Sequence, residues 1–245
     1  MNGAAGGLSP ARTWFLAVTA ALGGFLFGFD TIVINGAEQD IQALWRLSGT
    51  VHGWVVSSAL WGTVLGSLGG GWVSDRWGRK RTLVAVGGLF LVSAVWSALA
   101  AGPWTMIAAR FVGGLGVGVS TIAAPVYIAE IAPDASRGRM TALFQFNIVL
   151  GVVASLASNL LLKDVGPNAW RWMLGVEAFP ALAFTLLCLF LVESPRWLKR
   201  CGRSGLRATR RTPPTGPRSG AGRTRGRSCW LSSSRSSTSF RAATR

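Results

Sequence analysis

Charge is scarce in this sequence. Only 14% of its 245 residues are Asp, Glu, Lys or Arg, where a water-soluble domain carries about a quarter, so the core of the protein faces something other than water. Histidine occurs once, at His52, and the three cysteines, Cys188, Cys201 and Cys229, stand at no metal-ligand spacing. These shortages leave no metal cluster and no nucleophile triad, and no nucleotide loop is found. Gly113 to Gly118 resembles a phosphate loop only in its glycines, because it lies inside a long apolar run. An enzyme is thus the least expected class, and neither metal nor cofactor is expected. Cys188 sits in an apolar run where a disulfide is not expected. The N-terminus lacks the basic, short-apolar, small-residue order of a cleaved leader, and its first apolar run, long enough to span, is expected to be retained.

What is abundant is apolar. Half of the residues are hydrophobic, and a bilayer-spanning helix needs about 20 of them in succession. Six such segments are predicted: Thr13 to Asn35, His52 to Ser74, Thr82 to Ala101, Trp104 to Tyr127, Met140 to Leu162 and Arg171 to Val192. The fold class expected is an all-α membrane protein of six transmembrane helices. Its organisation is a short N-terminal arm over residues 1–12, a transmembrane domain over 13–200 and a basic tail over 201–245. The connections alternate in charge. Arg76, Arg79, Lys80 and Arg81 follow the second segment, Arg137 and Arg139 the fourth, and Arg196, Lys199 and Arg200 the sixth, whereas the intervening loops are poorer in cations. By the positive-inside rule the N-terminus, those basic loops and the tail are expected in the cytoplasm of a multi-pass cell-membrane protein.

The net charge of +16 suggests nucleic acid, but its distribution argues otherwise. Eleven arginines and no acidic residue occupy 201–245, which leaves fourteen cations against nine anions, or +5, for the first 200 residues. No specific nucleic-acid partner is expected. The tail, dominated by Arg, Ser, Thr, Gly and Pro, is expected to be disordered, and it has the look of out-of-frame translation of a GC-rich gene; binding of anionic lipid, or of RNA nonspecifically, is the alternative. Elsewhere Gly62, Gly66 and Gly70, and Gly114 and Gly118, recur at four-residue spacing. Such stripes let helix backbones approach closely in lipid.

Ionisable residues within spanning helices are costly and functional by default. Three occur: Asp30, Arg110 and Glu177. Counting about 1.5 Å per residue from the expected outer ends puts each of them roughly 8–9 Å below the external edge. One shared layer suits an acid–base cluster, in which Arg110 grips a carboxylate bidentately while burial and the arginine bias its protonation in opposite senses. Protonating Asp30 is expected to release Arg110 and so couple a proton to a conformational change; a permanent structural salt bridge is the alternative.

The loop Gly71-Trp-Val-Ser-Asp75-Arg76-Trp-Gly78-Arg79-Lys80-Arg81 resembles the cytoplasmic signature between helices two and three of the major facilitator superfamily. Physically, Gly71 is expected to let helices approach, Asp75 to cap and pair, Gly78 to permit a tight turn, and the cations to hold the loop at the membrane face. Further motifs are similar to the sugar porter branch: Gly23 to Asp30, Arg110 to Gly118, Pro125 to Pro133 with Arg137-Gly138, Gln145 to Gly151, Trp170 to Gly175, and Glu193 to Leu198. The resemblance runs from about Arg12 to Arg200. It implies that Gln145 hydrogen-bonds sugar hydroxyls, which suits an amide that both donates and accepts, and that Phe27 lines the pocket. It implies that an Asp at position 30 accompanies proton symport. Glu130, Arg137, Glu193 and Arg196 then resemble a salt-bridge set latching the inner face. Phe29 stands where the family usually has Tyr.

The family folds as two six-helix halves around a central cavity, and no second-half motif is present in this sequence. The function expected is a six-helix half of a proton-coupled symporter for a monosaccharide or polyol, with sugar, protons and the lipid bilayer as partners and a second transporter half to complete the cavity. A sugar sensor or scaffold that does not transport, or a non-functional fragment, is the alternative.

Overall fold

The computed structural model describes residues 9–166, 168–194 and 196–198. The 201–245 tail and most of the 1–12 arm lie outside the described residues. Among the described residues up to Ser194 seven helices follow in order: α1 (Pro10–Trp45), α2 (Gly49–Trp77), α3 (Arg79–Ala98), α4 (Pro103–Ile131), α5 (Arg137–Leu162), α6 (Ala169–Val176) and α7 (Ala178–Leu189). The chain divides after Ser194; beyond it a short helical stretch, 196–198, carries an exposed Arg196.

Local chemistry sets these limits. Ser9 caps α1 by accepting the Arg12 amide at 3.3 Å, with Pro10 next in line, and the helix closes at Arg46 in the left-handed conformation (φ 47°). Ser48 begins α2 in the same way, accepting from Val51. Pro103 opens α4. The first helix runs to Trp45, about ten residues past the expected Asn35, because Gly36 to Gln42 continue in helical register behind buried Ala37 and Ile41. The sixth expected segment is two helices that meet at Glu177. Pro180 has no N–H to offer the Val176 carbonyl, so the ladder is interrupted there, and it resumes with the Ala181 amide on the Glu177 carbonyl at 3.1 Å.

Among the described residues five spans are long and apolar enough to cross a membrane: α1, α3, α4, α5 and the α6–α7 pair from Ala169 to Leu189. The second helix is outside that set. Its 29 residues are rich in glycine and tryptophan, which lowers its hydropathy although it outlasts the ~30 Å hydrocarbon layer at about 1.5 Å per residue. What keeps it in the bundle is backbone contact. α2 runs parallel to α4, and a Cβ at Gly114 would fall on the Ala59 carbonyl, one at Gly118 on the Thr63 carbonyl, and one at Gly62 on the Phe111 carbonyl. The two glycine stripes are thus one interface. α1 and α5 pair likewise, with Gly28 on Ile148 and Gly151 on Phe25. Leu68, Leu161 and Phe179 remain at least three-quarters exposed, as lipid-facing side chains do.

Candidate functional site

Asp30, Arg110 and Glu177 come from α1, α4 and the α6–α7 break, and each is 98% buried. Arg110 Nη1 donates to Asp30 Oδ1 at 2.6 Å and Nη2 donates to the Asp30 backbone carbonyl at 2.9 Å. Glu177 lies against the Asp30 carboxyl, close enough for a side-chain hydrogen bond. The expected single layer is therefore a contact. Of the two bonds that Arg110 makes to Asp30, only the Nη1 bond is to the carboxyl group; the Nη2 bond is to the backbone carbonyl, which does not titrate. Ser93 on α3 closes the cluster from below. Its hydroxyl donates to the Ala109 carbonyl at 2.8 Å, and it stands against Gly113, whose Cα side also faces Asp30 Oδ1. Sequence reasoning missed Ser93, because a serine in an apolar helix carries no signal until its neighbours are known.

Gln145 is exposed on α5, and Phe27 is half-buried on α1 against the core. The two helices are parallel, with Gly28 on Ile148 and Gly36 on Asn159. At about 100° per residue, Phe27 and Thr31 flank the α1–α5 seam on the side that Gln145 flanks. Thr31 is exposed too, its hydroxyl donating to the Phe27 carbonyl at 2.8 Å. At the far end of that seam Asn159 Nδ2 donates to the Val33 carbonyl at 3.3 Å.

One end of the bundle is tied by the basic loop. Arg79 is 97% buried, and each of its three side-chain nitrogens donates: Nε and Nη2 hold the Glu130 carboxylate at 3.2 and 3.1 Å, and Nη1 donates to the Ser74 carbonyl and to Asp75 Oδ1 at 2.9 and 2.7 Å. Arg79 is thus a cation of the basic loop that turns inward to an ion pair. Glu193 accepts the Lys80 amide at 3.3 Å and those of Arg79 and Arg81, and so caps α3 from another part of the chain. Burial pushes the Glu193 carboxyl up despite those amides. Gly78 makes the arrangement possible: its φ is +94°, and a Cβ there would stand 2.6 Å from Glu193 Oε1. The Tyr127 hydroxyl donates to the Val192 carbonyl at 2.8 Å and brings Glu193 into place.

The remaining expectations for this end divide. Arg137 pairs with Asp134 and donates to the Ala129 carbonyl at 3.1 Å, so it clasps the α4–α5 connection rather than Glu130 or Glu193. Arg76 stacks on Trp72 at 5.4 Å. A Cβ at Gly71 would meet nothing within 4 Å; the close approach belongs to Gly70, against Val119. At the opposite end Arg171, unnoticed in the sequence as more than part of a motif, donates to the Ala98 and Ala100 carbonyls at 3.0 and 3.1 Å and closes the C-terminus of α3. It stacks on Trp170, which meets Trp45 edge-on. Among the described residues no three His, Cys, Asp or Glu side chains gather as a metal site.

Parallel glycine-packed helix pairs, an intramembrane Asp–Arg–Glu cluster and a buried Arg–Glu clasp define a multi-pass membrane protein of transporter type. The family model "Sugar (and other) transporter" matches residues 16–213, and the chain belongs to that family, within the major facilitator superfamily. It is 40% identical over 195 residues to the arabinose-proton symporter of Bacillus subtilis, covering 77% of this chain and 42% of the relative. It is 39% identical over 189 residues to the galactose-proton symporter of Escherichia coli K12, covering 77% and 40%. Among solved structures, the proton:xylose symporter XylE bound to 6-bromo-6-deoxy-D-glucose matches with a TM-score of 0.76 and 32% identity over 81% of this chain and 48% of that one. The chain spans about two fifths of the length of the curated relatives it matches.

Proposed function

We propose that this chain forms the N-terminal six-helix half of a proton-coupled transporter for a monosaccharide or polyol, working by alternating access with a second half that completes the cavity. The observation that carries this reading is the Asp30–Arg110 clamp with Glu177 against it, buried at one level of a lipid-facing bundle. A buried carboxylate held by an arginine and touched by a second carboxyl cannot keep all its charges indifferently; adding one proton changes the balance between three helices. Relatives named as arabinose-proton and galactose-proton symporters support protons as the coupling ion and sugar as the cargo.

Gln145 and Phe27, on one flank of the α1–α5 seam, form part of the sugar-facing wall. Gln145 supplies a donor and an acceptor to hydroxyls, and Phe27 supplies an apolar face to the ring. The end tied by Arg79, Glu130 and Glu193 faces the cytoplasm, in keeping with the basic loops there, and acts as the latch that holds that end shut.

Reconstitution in proteoliposomes with the complementary half tests the reading. Sugar addition is expected to drive proton uptake, and Asp30→Asn is expected to abolish proton movement while sugar binding persists. Sugar binding with no flux in the wild-type assembly overturns transport in favour of a sensor. Undiminished proton uptake in Asp30→Asn overturns the assignment of the coupling site.

A further inference from the structure

Three polar atoms in the ion-cluster layer have no protein partner among the described residues: Arg110 Nε, Glu177 Oε1 and Ser97 Oγ. All belong to side chains that are 98% buried. The first two are members of the cluster; Ser97 is one helical turn beyond Ser93 on α3.

The register of the neighbouring helices puts Ser97 beside them. Along α4, which runs opposite to α3, Leu89 stands against Gly116 and Ser93 bonds the Ala109 carbonyl while touching Gly113. Continuing one turn on both helices brings Ser97 level with Ala109, the residue before Arg110, whose side chain leans back toward the start of α4. Along the α6–α7 pair, also opposite to α3, Gly87 stands against Thr185 and Ala98 against Gly175, which brings Ser97 level with Val176, the residue before Glu177. Arg171 locks this register through the Ala98 and Ala100 carbonyls.

A donor on Arg110, an acceptor on Glu177 and a hydroxyl that does both are the partners a buried water requires, two to four of them around one small volume. We infer that Arg110 Nε, Glu177 Oε1 and Ser97 Oγ form a binding site for an internal water molecule, with Ser97 as its positioning residue. The water accepts from Arg110 Nε, donates to Glu177 and exchanges a hydrogen bond with Ser97. It joins Glu177 to the far side of the guanidinium whose two Nη groups hold Asp30, so both carboxyl groups share one hydrogen-bonded circuit. The groups facing the site are Asp30 from α1, Arg110 from α4, Ser93 and Ser97 from α3, and Glu177 from the α6–α7 break. The inference deepens the proton-coupling reading and rests on it only for the use of the water.

Infrared difference spectroscopy of the full chain in lipid nanodiscs tests it without requiring transport. A pH step in ordinary and ¹⁸O-labelled water is expected to reveal an isotope-sensitive O–H stretch, together with a carboxyl band that Glu177→Gln removes. Ser97→Ala is expected to lose the O–H band and shift the carboxyl band to higher frequency. Ser97→Thr keeps both bands, and Ser97→Cys, a weaker partner of similar size, shifts them without loss. Helical circular dichroism confirms that each variant folds. An isotope-sensitive band that survives in Ser97→Ala, or its absence from the wild type, overturns the site. Loss of sugar-driven proton flux with the band retained instead overturns the symport reading alone.

Discussion

Arg110 makes two bonds to Asp30 that differ in kind, and the difference matters for what substitution does. The Nη1 bond depends on the carboxylate charge, whereas the Nη2 bond to the backbone carbonyl does not. Arg110→Ala removes both and leaves two buried carboxyl groups without a cation, so a loss of about 3–5 kcal/mol in stability is expected. Asp30→Asn keeps the carbonyl bond and an amide oxygen of the same shape, so thermal unfolding in detergent is expected to show a smaller loss. Arg110→Lys keeps the charge but cannot reach both acceptors in a planar fork, and it is expected to fall between the two. Glu193, over the first amides of α3, gives a separate prediction. Burial raises its pKa above the ordinary 4.5, so the folded state holds the proton more tightly than the unfolded chain does. Its contribution is then most favourable below 4.5 and is lost as pH rises through the raised value. A melting temperature that declines over that interval in the wild type and stays flat in Glu193→Gln is expected; parallel profiles would assign the slope to another group.

At the scale of elements, the turn between α2 and α3 is set by one residue. Gly78 takes φ +94° and ψ 156°, a region open essentially to glycine alone, which costs other residues about 1–3 kcal/mol. Gly78→Ala is expected to lose that much, plus the cap, because the new Cβ displaces Glu193 from the α3 amides. Limited proteolysis should show the α2–α3 connection opening while the α1–α5 pair stays protected. The sequence pattern made six apolar rods and their glycine stripes legible, since helix length and four-residue spacing are local properties. Partnership was not legible. That the stripes of α2 and α4 meet each other, that Arg79 turns inward to Glu130, and that Arg137 takes Asp134 depend on contacts between distant segments. The break at Glu177 was in principle readable from Pro180, whose missing N–H falls one turn after Val176. The contact of Asp30, Arg110 and Glu177 could be guessed from depth alone because charge in an apolar helix is rare enough to be informative; Ser93 and Ser97 could not, because serine there is common.

For the whole molecule the decisive question is which surface meets lipid and which would meet the proposed second half. Gln145 and Phe146 are adjacent on α5 and both exposed, but about 100° of helical rotation separates them. Gln145 shares its flank with Phe27 and Thr31, while Phe146 points away from the α1 contact made by Ile148 and Gly151. If a second half encloses the Gln145 flank, that flank borders a hydrated cavity and the Phe146 side borders acyl chains. In a background with Cys188, Cys201 and Cys229 replaced by serine, Gln145→Cys is expected to react with a small membrane-impermeant thiol reagent when the complementary half is present, and sugar is expected to slow the reaction. Phe146→Cys is expected to stay unreactive, because a thiol facing hydrocarbon neither ionises nor meets the reagent. In the half alone both positions face lipid, so reactivity at Gln145→Cys should depend on the partner. Equal labelling of the two positions in the assembled protein would show that the α1–α5 flank does not line the cavity, and the sugar-facing wall would have to be sought on α2 and α4 instead.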